Sequence, residues 1–185
     1  MLLLKRGSAG LLTWLGLHSA QAGELNVGDP APKFALLDQE SKGHTLANYR
    51  GRWVVLYFYP KDDTPGCTTE ACNFRDDLPA LRALNVQILG ISVDDSKSHA
   101  RFAQKYQIPF PLLVDKEGDV ARLYGSLWSI GPLRLAKRYT FVIDPDGRIA
   151  KIYRNVKPVS HSRELQQDIK ELQKKSSAKS SRSSQ

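Results

Sequence analysis

The chain has 185 residues, of which 41% are hydrophobic and 25% are charged. This length suits one compact domain, and the composition argues against a disordered or fibrous protein. Two cysteines are too few for a scaffold of several disulfides or for a four-cysteine zinc site. The formal net charge of +8 would by itself point to nucleic acid or an anionic membrane surface, so the position of the basic residues matters.

The first 22 residues have the layout of a secretory signal peptide. Lys5 and Arg6 precede an apolar run over residues 7–17, and a small-x-small ending closes at Ala22, with no acidic residue. The run is shorter than the roughly 20 residues that a membrane span needs. We therefore predict cleavage after Ala22, export to the bacterial periplasm and no stable membrane anchor. A buried N-terminal helix and an organellar transit peptide are the alternatives, and a protein that keeps its leader would be cytoplasmic.

The last 12 residues, 174–185, contain four basic residues, six serines and no acidic residue. We predict a disordered tail here, and a nucleic-acid-binding arm is the less favoured alternative. Leader and tail together hold six of the 27 basic residues, which leaves 21 against 19 acidic residues in residues 23–173. The domain itself is thus nearly balanced in charge, and nucleic acid is not the expected partner.

Strands and helices are predicted to alternate through residues 23–173. Residues 33–37 are predicted to form an edge strand. Apolar runs at residues 53–59 and 86–93 are typical of central strands that are buried on both faces. Leucines at helical spacing predict a helix over residues 69–84, with Pro79 as a kink or an end.

The second half continues the alternation and closes with a hairpin. Asp95 and Ser96 can cap a helix that runs to Tyr106. The later elements are a strand at 112–115, a helix at 119–124 ended by Gly125, strands at 139–143 and 148–154 joined by a tight turn, and a helix at 162–173. This order predicts an α/β protein with a thioredoxin-like fold: a mixed central sheet flanked by helices, with an N-terminal strand or hairpin extension.

The segment 60–72, PKDDTPGCTTEAC, joins the first buried strand to the first helix. Catalytic groups in α/β sheets gather at such carboxyl ends of strands. Cys67 falls in the first turn of the helix, where free backbone N–H groups and the helix dipole favour a thiolate. The Thr64 hydroxyl and the N–H groups of Gly66 and Cys67 could hold a small oxygen-containing substrate.

A second thiol, Cys72, lies five residues after Cys67. On an α-helix this spacing gives about 7.5 Å of rise and about 140° of rotation, whereas a disulfide needs Cα atoms within about 7 Å. The two cysteines can therefore bond only if the helix unwinds locally. From the residues alone, four alternatives remain: inert core cysteines, a static disulfide, a metal pair, or a Cys/His hydrolase using His44, His99 or His161.

Other candidates in the sequence carry weaker signals. Arg138 directly precedes a strand, where an arginine is usually a solvated flank. Asp62 and Asp63 are interpreted as turn formers. Residues 125–136 are apolar and contain Trp128, and we predict a loop beside the active site that could be a docking surface.

Residues 57–75, YFYPKDDTPGCTTEACNFR, resemble the peroxiredoxins, most closely the bacterioferritin comigratory protein or peroxiredoxin Q subfamily. Pro60, Thr64 and Cys67 stand in the pattern Pro-x-x-x-Thr-x-x-Cys. Residues 28–34 and 139–147 also match, so the resemblance covers about residues 25–173.

The resemblance implies a thiol peroxidase that reduces hydrogen peroxide and organic hydroperoxides without a metal or other cofactor. Cys67 would attack the peroxide and become a sulfenic acid, and Cys72 would resolve it as an intramolecular disulfide. Thioredoxin, or an exported thioredoxin-like reductant, would then reduce the pair. The leader departs from the family pattern and leaves the reductant open, because cytosolic thioredoxin would not reach an exported enzyme.

The resemblance also assigns supporting roles. Thr64 would hold the peroxide, Pro60 would shield the site from water, and Arg138 would stabilise the thiolate and polarise the peroxide. A monomer is expected, because there is no further cysteine and no long swapping arm. The alternatives are a thiol-disulfide oxidoreductase acting on protein disulfides, although the chain lacks C-x-x-C, and a non-enzymatic fold with a structural disulfide.

Overall fold

The computed structural model describes residues 24–183, so the predicted signal peptide lies outside the described residues. The strands are β1 (Ala35–Leu37), β2 (Gly43–Thr45), β3 (Trp53–Phe58), β4 (Val86–Ser92), β5 (Leu112–Val114), β6 (Leu127–Ile130), β7 (Leu133–Ala136), β8 (Thr140–Ile143) and β9 (Ile149–Tyr153). The α-helices are α1 (Pro65–Asp76), α2 (Leu78–Ala83), α3 (Ser96–Tyr106), α4 (Asp119–Leu123) and α5 (His161–Ser183), and a 3₁₀-helix spans Leu46–Tyr49.

A five-stranded mixed sheet in the order β5-β4-β3-β8-β9 forms the centre of the fold. Strand β3 lies in the middle, parallel to β4 and antiparallel to β8, and all six of its residues are buried. Its aromatic and β-branched residues can face apolar layers on both sides, which is why the run lacks the alternation of a half-exposed strand. The prediction of a central strand buried on both faces is confirmed.

Helices cover the two faces of this sheet unequally. The face that carries Val55 and Tyr57 packs against α1, α2, α3 and α5. The opposite face, with Leu56 and Phe58, packs against α4 and the N-terminal segment around Phe34. The predicted thioredoxin-like architecture, a mixed sheet between helices, is confirmed.

The predicted helix over residues 69–84 consists of two helices. Helix α1 starts earlier, at Pro65, and Asp77 separates it from α2. Pro79 lies in the first turn of α2, where proline is favoured because its missing N–H has no intrahelical partner. The proline therefore marks the start of a new helix.

Two surface segments differ from the predictions. Strand β1 lies outside the central sheet and pairs with β2 in a separate two-stranded sheet. Residues 125–136, predicted as a loop, contain the antiparallel hairpin β6–β7. Gly131, with φ +55°, supplies the left-handed turn residue that a short hairpin needs.

Helix α5 also differs, since it continues to Ser183 although we predicted a disordered tail from Lys174. The segment beyond Gln173 contains no Gly or Pro, so no residue there interrupts a helical backbone. None of the helices in residues 24–183 is long and apolar enough to cross a membrane.

Candidate active site

Cys67 lies in the first turn of α1, the helix that follows the carboxyl end of the central strand β3 after a short loop. Thr64 is the N-cap residue in extended conformation, Pro65 is the first helical residue, and the Cys67 side chain is only 2% exposed. The backbone N–H groups of Gly66 and Cys67 lie too early in the helix to reach a carbonyl four residues back. The thiol is thus buried beside two backbone donors at the positive end of a helix dipole.

Arg138 contacts the Cys67 sulfur. Its Nη2 donates to Sγ at 3.2 Å. Strand β8 runs antiparallel to β3, with Tyr57 opposite Thr140, and the Phe58 N–H donates to the Tyr139 carbonyl at 2.8 Å. This pairing places Arg138, two residues before β8, next to the loop that follows β3. Arg138, which the sequence alone placed at a solvated strand flank, therefore contacts the thiol.

Glu70 completes a row of Cys67, Arg138 and Glu70, in which the cysteine and the glutamate are buried and the arginine is half-buried, and the sequence analysis missed it. Arg138 Nη1 donates to Glu70 Oε2 at 2.5 Å, and the carboxyl group is 1% exposed. Burial raises the pKa of Glu70 to about 7, against the opposing effect of the Arg138 charge. The sequence did contain one signal: Glu70 follows Cys67 by three residues, and residues three apart lie on the same face of a helix.

The remaining sequence candidates surround this row. The Thr64 hydroxyl donates to the Lys61 carbonyl at 2.9 Å, so its oxygen is left as an acceptor. Pro60 is half-buried at the end of the strand. A Cβ atom on Gly66 would lie 3.2 Å from Arg138 Nη2, so glycine keeps the space that the guanidinium uses.

Cys72 belongs to the same helix as Cys67, and both thiols are free. Cys67 is buried and Cys72 is half-buried. The helix is continuous from Pro65 to Asp76, so the two cysteines keep the i, i+5 spacing that prevents a direct bond. The reduced protein therefore holds its two thiols apart.

A buried polar network fixes the loop between β3 and α1. Asp62 accepts from the Tyr59 hydroxyl and contacts His99 Nδ1, both at 2.8 Å. The Asp62 N–H donates to Asp94 Oδ2 at 2.9 Å, and Ser92 Oγ donates to the same oxygen at 2.7 Å. Asp62 is thus a buried anchor as well as a turn residue, whereas its exposed neighbour Asp63 has φ +55° and fits the predicted turn role.

The same network brings together the three groups in residues 24–183 that could hold a metal ion. Ligand atoms of Asp62, Asp94 and His99 all lie within 4.8 Å of one another. Each of these atoms already has a hydrogen-bond partner within the network. The cluster is explained as the anchor of the loop.

Comparison with known proteins gives a consistent set of relatives. The AhpC/TSA family model matches residues 27–152. Peroxiredoxin Bcp of Bacillus subtilis is 39% identical over 157 residues, covering 82% of this chain and 99% of that protein. The crystal structure of peroxidoxin BcpB from Mycobacterium tuberculosis superimposes with a TM-score of 0.75 at 32% identity, covering 80% of this chain and 97% of the other.

A further solved structure is similar over most of the chain. The bacterioferritin comigratory protein of Xanthomonas campestris, described through trapped intermediate and ligand complexes for its alkyl peroxide reduction activity, has a TM-score of 0.70 and 33% identity. It covers 74% of this chain and 90% of its own.

Proposed function

Because this chain belongs to the AhpC/TSA family and is a thiol peroxidase of the peroxiredoxin type, we propose that its reaction with peroxide takes place at Cys67. The observation that carries this assignment is the 3.2 Å contact of Arg138 Nη2 with a buried sulfur in the first turn of a helix. A guanidinium and a helix N-terminus both favour the thiolate, which is the nucleophilic form of cysteine.

In the first step the Cys67 thiolate attacks one oxygen of the peroxide. The S–O bond forms as the O–O bond breaks, and the released alkoxide or hydroxide takes up a proton to leave as alcohol or water. The positive charge of Arg138 faces the reacting atoms and stabilises the negative charge that moves onto the leaving oxygen. The product on the enzyme is the Cys67 sulfenic acid.

The other residues hold the peroxide for this attack. Since the Thr64 proton is donated to the Lys61 carbonyl, the Thr64 oxygen accepts a hydrogen bond from the peroxide O–H. The N–H groups of Gly66 and Cys67 donate to the peroxide oxygens. Pro60 covers the site from the strand side and keeps water from the thiolate.

In the second step Cys72 resolves the sulfenic acid. Its sulfur attacks Cys67 Sγ, an S–S bond forms, and the sulfenic oxygen leaves as water. A dithiol reductant then reduces the disulfide and is itself oxidised. Per cycle, one peroxide and one dithiol give one alcohol, one water and one disulfide.

Single-turnover reactions of the reduced protein with hydrogen peroxide test these assignments. The wild type should give a Cys67–Cys72 disulfide, which peptide mass spectrometry identifies. Cys72→Ser should still consume one equivalent of peroxide and stop at a sulfenic acid that dimedone traps. Cys67→Ser should consume none, and continued peroxide consumption by this variant would refute the proposal.

Peroxiredoxins use peroxide substrates and thioredoxin-like reductants. For this chain we propose both hydrogen peroxide and organic hydroperoxides as substrates. The alkyl peroxide reduction activity of the Xanthomonas protein supports the second class. Rate constants for hydrogen peroxide and for cumene hydroperoxide, measured side by side, test the proposal, and a reaction with only one of them would limit the substrate range.

We further propose that the mature protein is exported, works as a monomer and receives electrons from an exported thioredoxin-like protein. The basic start, the apolar run at residues 7–17 and the Ala20–Ala22 ending support export. Once Cys67 and Cys72 have paired with each other, neither of the two cysteines in this sequence is left for a disulfide to a second subunit. N-terminal sequencing of protein from fractionated cells should begin at Gly23, and light scattering should give one chain per particle. An intact Met1 in the cytosol would restore cytosolic thioredoxin as the reductant.

A further inference from the structure

Resolution of the sulfenic acid requires α1 to unwind between its two cysteines. With about 7.5 Å of rise between residues five apart, the intact helix cannot bring Cys72 to Cys67. Whatever holds this part of α1 in its helical form therefore opposes the second step of the reaction. The contacts of residues 66–73 with the rest of the protein show which interactions must break when the helix unwinds.

One side chain in this stretch binds a neighbouring segment twice. Asn73 Nδ2 donates to the Pro158 carbonyl at 3.0 Å and to the Val159 carbonyl at 3.2 Å. An amide NH₂ group has two hydrogens, so both donors of Asn73 point into the same segment. We call this segment, residues 154–160 between β9 and α5, the β9–α5 loop.

The β9–α5 loop also reaches the other end of the stretch. A Cβ atom on Gly66 would lie 3.8 Å from Pro158 Cγ, which is ordinary van der Waals contact. The loop therefore lies along α1 from the residue before Cys67 to the residue after Cys72. It borders the part of the helix that has to open.

The loop is itself fixed to the body of the protein. The N–H groups of Ser160 and His161 both donate to the Lys157 carbonyl at 3.1 Å, which ties the loop to the first turn of α5. Leu165 and Ile169 of that helix are fully buried in the core. The carbonyls that Asn73 binds thus stay in place while α1 opens, so its hydrogen bonds must break.

We propose that Asn73 is a positioning residue that controls how fast Cys72 reaches the Cys67 sulfenic acid. Its two hydrogen bonds hold the backbone of the neighbouring Cys72 in the helix and must be broken before the S–S bond can form. Opening thereby competes with a second oxidation, in which another peroxide converts the sulfenic acid to a sulfinic acid and leaves as alcohol or water. This inference rests on the proposed roles of Cys67 and Cys72.

The test separates the two steps in time. Reduced wild type and Asn73→Ala are mixed rapidly with hydrogen peroxide, and quenched samples are analysed for sulfenic acid and for disulfide. Loss of two hydrogen bonds should speed disulfide formation by about tenfold. The oxidation of Cys67 should change less than about twofold, because Asn73 does not touch the sulfur, and the sulfinic acid fraction at high peroxide should fall.

Arg75→Ala is the matched control. Arg75 Nη1 also fastens α1 to a backbone carbonyl, that of Tyr106 at 2.6 Å, but Arg75 lies outside the stretch 66–73 and contacts the end of α3 rather than the β9–α5 loop. It should therefore leave disulfide formation near the wild-type rate. An unchanged disulfide rate in Asn73→Ala, or an equal acceleration in both variants, would overturn the inference. A wild type that forms no sulfenic acid at Cys67 would instead overturn the proposed function.

Discussion

The segments on the two sides of Cys67 are held in different ways. Residues 60–64, before the cysteine, are tied down by Asp62 through a network with Tyr59 and His99 in which every side chain is buried. Residues 67–73, after it, form one helix whose polar ties run to Arg138 and to the β9–α5 loop at the edge of the site. The first set of contacts is enclosed by the core, whereas the hydrogen bonds of Asn73 to the β9–α5 loop are partly exposed and can exchange with water.

This difference matches the two demands of the reaction. The loop must keep the Thr64 oxygen in place for the peroxide, and a buried network is costly to open because its donors would be left without partners. The helix must open once per cycle, and partly exposed hydrogen bonds cost less to break because water replaces them. The protein thus combines a fixed substrate side with a movable thiol side.

Loss of the buried anchor should have the largest effect. Asp62→Ala would remove the acceptor of the Tyr59 hydroxyl and of His99 Nδ1 and leave them only their long mutual contact at 3.3 Å, and each buried donor that loses its acceptor costs about 1–3 kcal/mol. We expect urea unfolding to show a loss of about 2–6 kcal/mol. Lys105→Ala is the control, since it removes only the exposed ion pair of the adjacent Asp63 and should leave stability nearly unchanged. Equal losses of unfolding free energy in the two variants would show that the loop before Cys67 is not held by a costly buried network, which would contradict the comparison.

Removal of the guanidinium should be the next largest effect, and it acts on chemistry. Arg138→Ala should slow the oxidation of Cys67 by about 10²–10³-fold, as is typical when one group that stabilises a developing negative charge is lost. Arg134→Ala is the control, because Arg134 lies four residues before Arg138, pairs with the exposed Glu117 and should leave the oxidation rate of Cys67 normal. Competition kinetics with hydrogen peroxide measure both rates, and a normal rate in Arg138→Ala would contradict the proposed first step.

The movable side should respond to pH through Glu70. Its pKa of about 7 in the fold lies above its ordinary value near 4.5, because burial disfavours the carboxylate. Stability from this group is therefore complete below about pH 4.5 and is lost as the pH rises through about 7, a change of about 3 kcal/mol. Glu70→Gln cannot ionise and should lack this loss in unfolding experiments from pH 4.5 to 8. Parallel stability curves for the two proteins would contradict the prediction.

Much of the fold could be predicted because the decisive signals are local. The short run of aromatic, β-branched and aliphatic residues at 53–59 favours a strand buried on both faces. Asp95 caps α3 through its contact with the Ser98 N–H, as the sequence suggested. An interruption of the helix was expected at Pro79 but lies two residues earlier, at Asp77, and the β6–β7 hairpin was missed. Both depend on how neighbouring elements pack, and tertiary packing often overrides local propensity.

The site shows the same division. Cys67, Thr64 and Gly66 could be located from one continuous segment, but Arg138 is brought to them by the pairing of β8 with β3. From its position in the sequence, Arg138 was interpreted as a solvated residue before a strand. Only the family resemblance indicated a role in the site. The roles of Glu70 and Asp62 were not predicted, because they depend on burial, and an acidic residue in a helix or a turn is usually solvated.

The smallest effect is expected where the fixed and movable sides meet, at Gly66. A Cβ atom there would lie 3.2 Å from Arg138 Nη2, so Gly66→Ala must displace the guanidinium by a few tenths of an ångström. A displacement of this size should slow the oxidation of Cys67 by about three- to tenfold, well short of the loss caused by removing Arg138. Gly43→Ala, which meets open space, is the control. If Gly66→Ala oxidises at the normal rate, the position of Arg138 is less constrained than the geometry indicates, whereas a loss as large as that of Arg138→Ala would mean that the helix start itself has moved.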